Sequence, residues 1–312
     1  MPLEWWAAAA RDTARRAGQG GRSGTPRGRL GPSGSGHAGP RDPTRDRGLR
    51  DSGELLAERA TRLAWTYGLV GWRWEGGDRI KTAGEVLRPS ACSYLSYRIG
   101  GWPASRPWPA AIREVPAAGL REWQALTGLR WPVELSCIGV LLFGFVAPGE
   151  ADPGALQAEA YTRDGRRVPH RIDGENLRRW TLGNPEGRVF EVAPASRPPV
   201  GVAVCEAPAE ALAIAAAQPR TLVLAVGDRL ASSARRVRGH LPRGLPVRLY
   251  GRRCALGAAR LAGEDLAALG HDVERPWLPP LDAPYRCDFA DYRAQRRPRT
   301  AVTGSNREHR DR

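Results

Sequence analysis

Between residues 200 and 278 the chain repeats one rhythm, a short apolar run followed by a segment with helical spacing. The apolar runs fall at 200–205, 220–227, 247–251 and 272–278. Helical segments at 208–217, 228–239 and 255–269 separate them; the first has Pro near its start and the last is closed by Gly270. Four apolar strands joined by helical crossovers imply a parallel α/β sheet covered on both faces. In such sheets ligands bind beyond the carboxyl ends of the strands. Glu206 follows the first run and Arg252-Arg253-Cys254 the third, so both segments fall at such ends.

Upstream the pattern is different. Residues 1–52 are rich in Arg, Gly and Pro and poor in large aliphatics, a composition that cannot offset its own ordering entropy; a disordered arm is expected there. Residues 53–132 read as a helical N-terminal region, with helical stripes at 52–65, 90–98 and 117–127. Residues 133–199 read as a β-rich subdomain, with strands at 136–146, 155–162, 178–182 and 188–192 and a hairpin signal at Asp164-Gly165. The tryptophans at 65, 72, 74, 102, 108, 123, 131 and 180 read as packing posts, with base stacking beside arginines as the alternative. Residues 293–312 form a second, basic tail that is expected to be disordered.

The net charge of +15 is almost wholly arginine, Lys81 being the only lysine. Ten Arg against five acids in 1–53, and seven against two in 293–312, favour polyanions without specifying sequence. Arg235, Arg236 and Arg238 make a further basic run, either a solvated helix face or a track for a phosphate backbone. Five scattered cysteines (92, 137, 205, 254, 287) with no CxxC pair argue against a zinc ribbon or a disulfide framework and fit a reduced compartment. The longest apolar run, 137–147, is too short to span a bilayer, and the first residues lack the charge order of a signal peptide. A cytoplasmic protein without a membrane is expected.

The stretch Cys205-Glu-Ala-Pro-Ala-Glu-Ala-Leu212 after the first strand, Gly257 opening a helix, and the closing Cys287-Asp-Phe-Ala-Asp291 together resemble a Toprim domain of the phage and plasmid primase-helicase kind. Arg179-Trp-Thr-Leu-Gly183 and residues 187–192 resemble the segment that precedes Toprim in those proteins. The resemblance implies a Toprim-like parallel sheet with flanking helices over 200–292, preceded by a smaller mixed α+β region. It aligns Glu206 and Glu210 with the family's first two acids. The later Asp-x-Asp pair falls on Arg252 and Cys254, neither acidic. In an active site of this family those acids hold Mg²⁺, a hard ion that wants carboxylate oxygen, whereas Arg252 places a fixed positive charge there. Cys254 is a soft ligand poorly matched to Mg²⁺. Arg252 and Cys254 therefore mark a degenerate site.

Three functions follow as expectations. The first is a nucleic-acid-binding, catalytically degenerate primase relative of phage or mobile-element replication. It would bind DNA or RNA through Arg252, Arg253, Arg235, Arg236 and Arg238, beside a helicase or other replication partner. The second is an active Mg²⁺-dependent primase or nuclease, with Glu206 catalytic, Asp288 and Asp291 as metal ligands, Asp228 as a further candidate ligand, and no zinc. The third is a non-catalytic structural or interaction protein. Each residue also has a plainer reading. Glu206 could be an acid stabilised by a helix N-terminus, Glu210 a structural or solvated side chain, and Asp288 a helix start with Phe289 anchoring the tail. Cys254 could be an inert thiol, and the arginines the product of a GC-rich genome.

Overall fold

The structure, a computed structural model, describes residues 61–62, 64–65, 71–75, 78–82, 87, 89–117, 119–121, 123, 137–162, 170–172, 175–177, 180–196, 198–227 and 230–296. The expected arm, most of the 52–65 helix, the Asp164-Gly165 hairpin turn and the tail beyond Arg296 lie outside these residues. The chain divides into two compact units: Met1–Tyr94 with Trp108–Glu191 and Arg235–Pro242, and Leu95–Pro107 with Val192–Ala234 and Arg243–Arg312.

The first unit begins with β1 (Gly71–Glu75) and β2 (Asp78–Thr82), paired antiparallel with Trp72 opposite Lys81. Helix α1 (Pro89–Arg98) follows, and the division between units falls within it. Then come β3 (Ile112–Pro116), β4 (Cys137–Phe145), β5 (Ala155–Thr162), β6 (His170–Ile172), β7 (Glu175–Leu177), β8 (Trp180–Gly183) and β9 (Phe190–Val192). The segment 53–132, expected to be helical, thus also supplies three strands. The strand order β3-β4-β5-β8 is antiparallel throughout, and β6 and β7 form a separate hairpin.

The period of two along β5 explains how this sheet is covered on both sides. Leu156, Ala158 and Ala160 join Val115, Val140 and Leu142 on one face, where Ala64, Trp65, Leu120 and Trp123 cover them. Trp65 and Trp123 are therefore core residues, as packing posts should be. Gln157, Glu159 and Tyr161 alternate onto the other face and are also buried. There Glu114 and Glu159 flank Leu141 in one cross-strand row. The Tyr161 hydroxyl donates to Glu114 and that of Tyr94 to Glu159, and the two rings stack at 5.0 Å. Buried carboxyl groups held by phenols are fully consistent with a packed sheet, since unpaired they would cost far more.

Gly139 makes room for this network. A Cβ there would lie 2.8 Å from Glu114 Oε1 and 2.9 Å from the Tyr161 ring. Gly139→Ala should therefore lower stability by about 1–3 kcal/mol through overpacking. In urea the midpoint should drop at unchanged slope; an unmoved midpoint would refute the crowding.

The second unit is the alternating one. β10 (Gly201–Cys205) leads into α2 (Pro208–Ala217), β11 (Thr221–Ala225), a single 3₁₀ turn at Leu230–Ser232 and α3 (Ser233–Val237), whose last three residues belong to the first unit. β12 (Val247–Leu249), a 3₁₀ turn at Arg253–Ala255, α4 (Leu256–Ala268) and α5 (Phe289–Arg296) complete it. Within this unit the strand order is β12-β10-β11, with β10 parallel to both neighbours. The central strand is buried from Val202 to Cys205, as a doubly covered parallel strand should be. α4 ends where Gly270, at φ 86°, supplies the left-handed residue that closes a helix.

Two expected elements differ. The strand at 272–278 is reduced to two isolated parallel bridges, Val247 with Val273 and Tyr250 with Trp277. Pro276 lies between them and has no N–H to continue a ladder. The helix expected over 228–239 is a 3₁₀ turn followed by one and a half turns of α-helix. Among the described residues no helix is long and apolar enough to cross a membrane.

Candidate functional site

Glu206 is the first residue past the carboxyl end of β10, and α2 starts two residues later. The sequence of α2, Pro-Ala-Glu-Ala-Leu-Ala-Ile-Ala-Ala-Ala, has one polar residue, Glu210. A helix apolar on every side has to be buried, so Glu210 is carried inside with it and is 2% exposed. At i+4 from Glu206 it returns to the strand end: the Glu206 N–H lies 3.4 Å from Glu210 Oε2. Glu206 Oε1 accepts the N–H of Leu230 at 3.3 Å.

The chain returns to the same place at Asp288. Its Oδ1 accepts the Asp291 N–H at 2.9 Å, the bond of a residue capping α5, and it is 2% exposed. The next N–H, that of Phe289, donates to Glu210 Oε1 at 3.2 Å. Asp288 Oδ2 faces Arg252, 3.6 Å away, just past the end of β12. Glu206, Glu210, Asp288 and Arg252 thus converge at the carboxyl ends of β10 and β12. Phe289 packs against Tyr250 and Trp277, with ring centroids 5.5 and 4.8 Å away, and fixes where α5 starts.

Charge in this cluster is unbalanced. Burial first, then Asp288, pushes the Glu210 carboxyl up to about 8; the Phe289 N–H and Arg252 pull the other way. At neutral pH Glu210 therefore holds its proton. Burial, with Glu210 and Asp288 beside it, pushes the Cys205 thiol well above its ordinary value. Burial together with Asp291 and Asp288 pushes Cys287 up to about 11. Neither thiol has the thiolate character a nucleophile needs. Cys254 is exposed in the 3₁₀ turn after Arg252.

The other expected site residues are placed as follows. Asp291 turns away to an ion pair with Arg98 at 2.6 Å. Arg253 donates to the carbonyls of Leu281 and Ala283, bracing the loop before α5. Arg235, Arg236 and Arg238 belong to the other unit, where Arg235 is exposed and 3.8 Å from Glu186. Asp228 lies outside the described residues. Arg106, one of the arginines interleaved with the tryptophans, and Arg293, not singled out in the sequence, donate to the carbonyls of Ala215 and Ala213, where cations favour the end of α2.

A divalent cation does not fit this donor set as it stands. One Asp288 oxygen caps a helix and the other faces a guanidinium; Asp291 is committed to Arg98; Glu210 is a neutral acid. Among the described residues no three His, Cys, Asp or Glu side chains are grouped to hold a metal ion. Comparison with protein-family models, with curated proteins and with solved structures gives no match.

Proposed function

We propose that this chain carries a Toprim-like scaffold of the primase kind, turned to nucleic-acid binding, with metal-dependent nucleotidyl transfer lost. The observation that supports this reading is the convergence of Glu206, Glu210 and Asp288 on Arg252 at the carboxyl ends of β10 and β12. A nucleotidyl-transfer site would hold Mg²⁺ among such carboxylates, near the phosphates. Here a guanidinium opposes the carboxylates from the third strand's end. It cannot deprotonate to admit a cation. Binding is then the task of exposed arginines, whose phosphate contacts release counterions.

The experiment has two arms. Purified protein with Mg²⁺ or Mn²⁺, nucleotides and a single-stranded template should make no primer; primer synthesis would end the claim of lost catalysis. The same protein should bind single-stranded oligonucleotides with an affinity that falls steeply between about 50 and 200 mM salt. Salt-insensitive binding, or none, would end the nucleic-acid role. An active Mg²⁺-dependent enzyme is the second reading, favoured by the nearness of three acidic side chains, Glu206, Glu210 and Asp288. It requires Arg252 to swing out, and it predicts an activity that Glu206→Gln abolishes.

A further inference from the structure

Two successive tight turns precede α5, and Arg253 braces the first of them. The first, Pro280 to Ala283, is closed by the Ala283 N–H on the Pro280 carbonyl at 3.0 Å. The second, Pro284 to Cys287, is closed by the Cys287 N–H on the Pro284 carbonyl at 2.9 Å. Arg253 donates to the carbonyls of Leu281 and Ala283, and Pro279, Pro280 and Pro284 remove backbone freedom from the same loop. The loop is therefore stiff: Ala283 and Cys287 are buried and anchor it, while the residues between them stand in water. Its tips are Leu281, 89% exposed, and Tyr285, 63% exposed, with Arg286 exposed beside Tyr285.

The second turn holds the Tyr285 ring in water. Tyr285 has the Arg253 guanidinium 6.0 Å from its ring centroid, so the ring is polarised and positioned from one side. Most of the ring remains open to solvent, a flat surface of the size of a nucleobase. Arg286, next in the chain to Tyr285, and Arg253, near its ring in space, supply positive charge, which suits the phosphates flanking a stacked base.

We propose that the Leu281–Arg286 double turn is a stacking platform for single-stranded nucleic acid, with one base on Tyr285 and the adjoining phosphates at Arg286 and Arg253. The proposal rests on the nucleic-acid reading above and gives it a location and a strand preference. A duplex keeps its bases stacked on each other and offers Tyr285 no face, so the platform discriminates for single strands. Stacking does not release counterions, so its loss should not change the salt slope.

The test is fluorescence anisotropy with a labelled oligothymidylate of about 15 nucleotides and the matching duplex. Tyr285→Ala should weaken oligothymidylate binding roughly tenfold at unchanged salt slope, and Tyr285→Phe should stay within about twofold of the parent. Duplex binding should be unaffected. Tyr285 is exposed, so both variants should keep the parent's urea midpoint, which checks that the fold survives. If the parent binds oligothymidylate and Tyr285→Ala binds it equally well, or loses single strand and duplex alike, the platform is wrong while the nucleic-acid reading stands. If the parent binds neither oligonucleotide, that reading fails and the platform with it.

Discussion

Stability should fall as pH rises from about 4.5 to about 8, and Glu210→Gln should remove most of that fall. The folded chain holds the Glu210 proton up to about 8, whereas an exposed glutamic acid gives it up near 4.5. Between those values the folded state binds more protons than the unfolded one, so the slope of unfolding free energy with pH is negative. The contribution is complete below the unfolded value and is lost as pH rises toward the folded one. A full shift of this size corresponds to roughly 5 kcal/mol at 1.36 kcal/mol per unit. Relaxation and water entry reduce this, and a loss on the order of 2–4 kcal/mol is expected. Gln keeps an oxygen for the Phe289 N–H and gives up only the longer contact from the Glu206 N–H, so most of the difference between the proteins is charge. Urea unfolding of both proteins at several pH values reads the effect. The variant should be the more stable above pH 8 by about that amount; two curves that stay parallel from pH 5 to 9 would refute a proton held on Glu210.

The alternating half of the fold was legible because its signals are local. Apolar runs of five or so residues, Pro208 at a helix start and Gly270 at a helix end fixed β10, α2, β11 and α4 to within a residue or two. The 272–278 segment is apolar enough for a strand, but Pro276 interrupts the ladder, and periodicity does not weigh one missing N–H. β3 was missed for the opposite reason. Ile-Arg-Glu-Val-Pro alternates poorly, and its place is set by pairing with β4 some thirty residues on, where Glu114 is satisfied by a tyrosine the local sequence does not contain.

The site was legible in part. Glu206 and Arg252 were visible as residues just past strand ends, and Asp288 as a helix-start signal. Glu210 was readable as structural or solvated from its charge alone. The better signal was its helix, since nine apolar neighbours in ten residues leave no solvated face. What no sequence pattern supplies is the meeting of 206, 252 and 288, which depends on β12 pairing with β10 and on Phe289 docking against Tyr250 and Trp277.

Arg252→Gln should destabilise the chain by about 1–3 kcal/mol near neutral pH, and Asp288→Asn in the same chain should recover part of the loss. Asp288 is buried and faces the guanidinium at 3.6 Å, so removing the cation leaves a carboxylate in a low-dielectric site without its countercharge. The figure is set below that for a fully buried pair because the Arg252 side chain is 30% exposed and water screens it. Arg252 also lowers the proton affinity of Glu210, so its removal pushes that carboxyl further above 8. The negative slope of stability with pH should then extend to higher pH than in the parent. A double-mutant cycle over Arg252→Gln and Asp288→Asn, read by urea midpoints at pH 5 and 9, measures the coupling directly. Additive effects at both pH values would mean that Arg252 neutralises nothing here, and the reading of it as the cation of this carboxylate cluster would have to be given up.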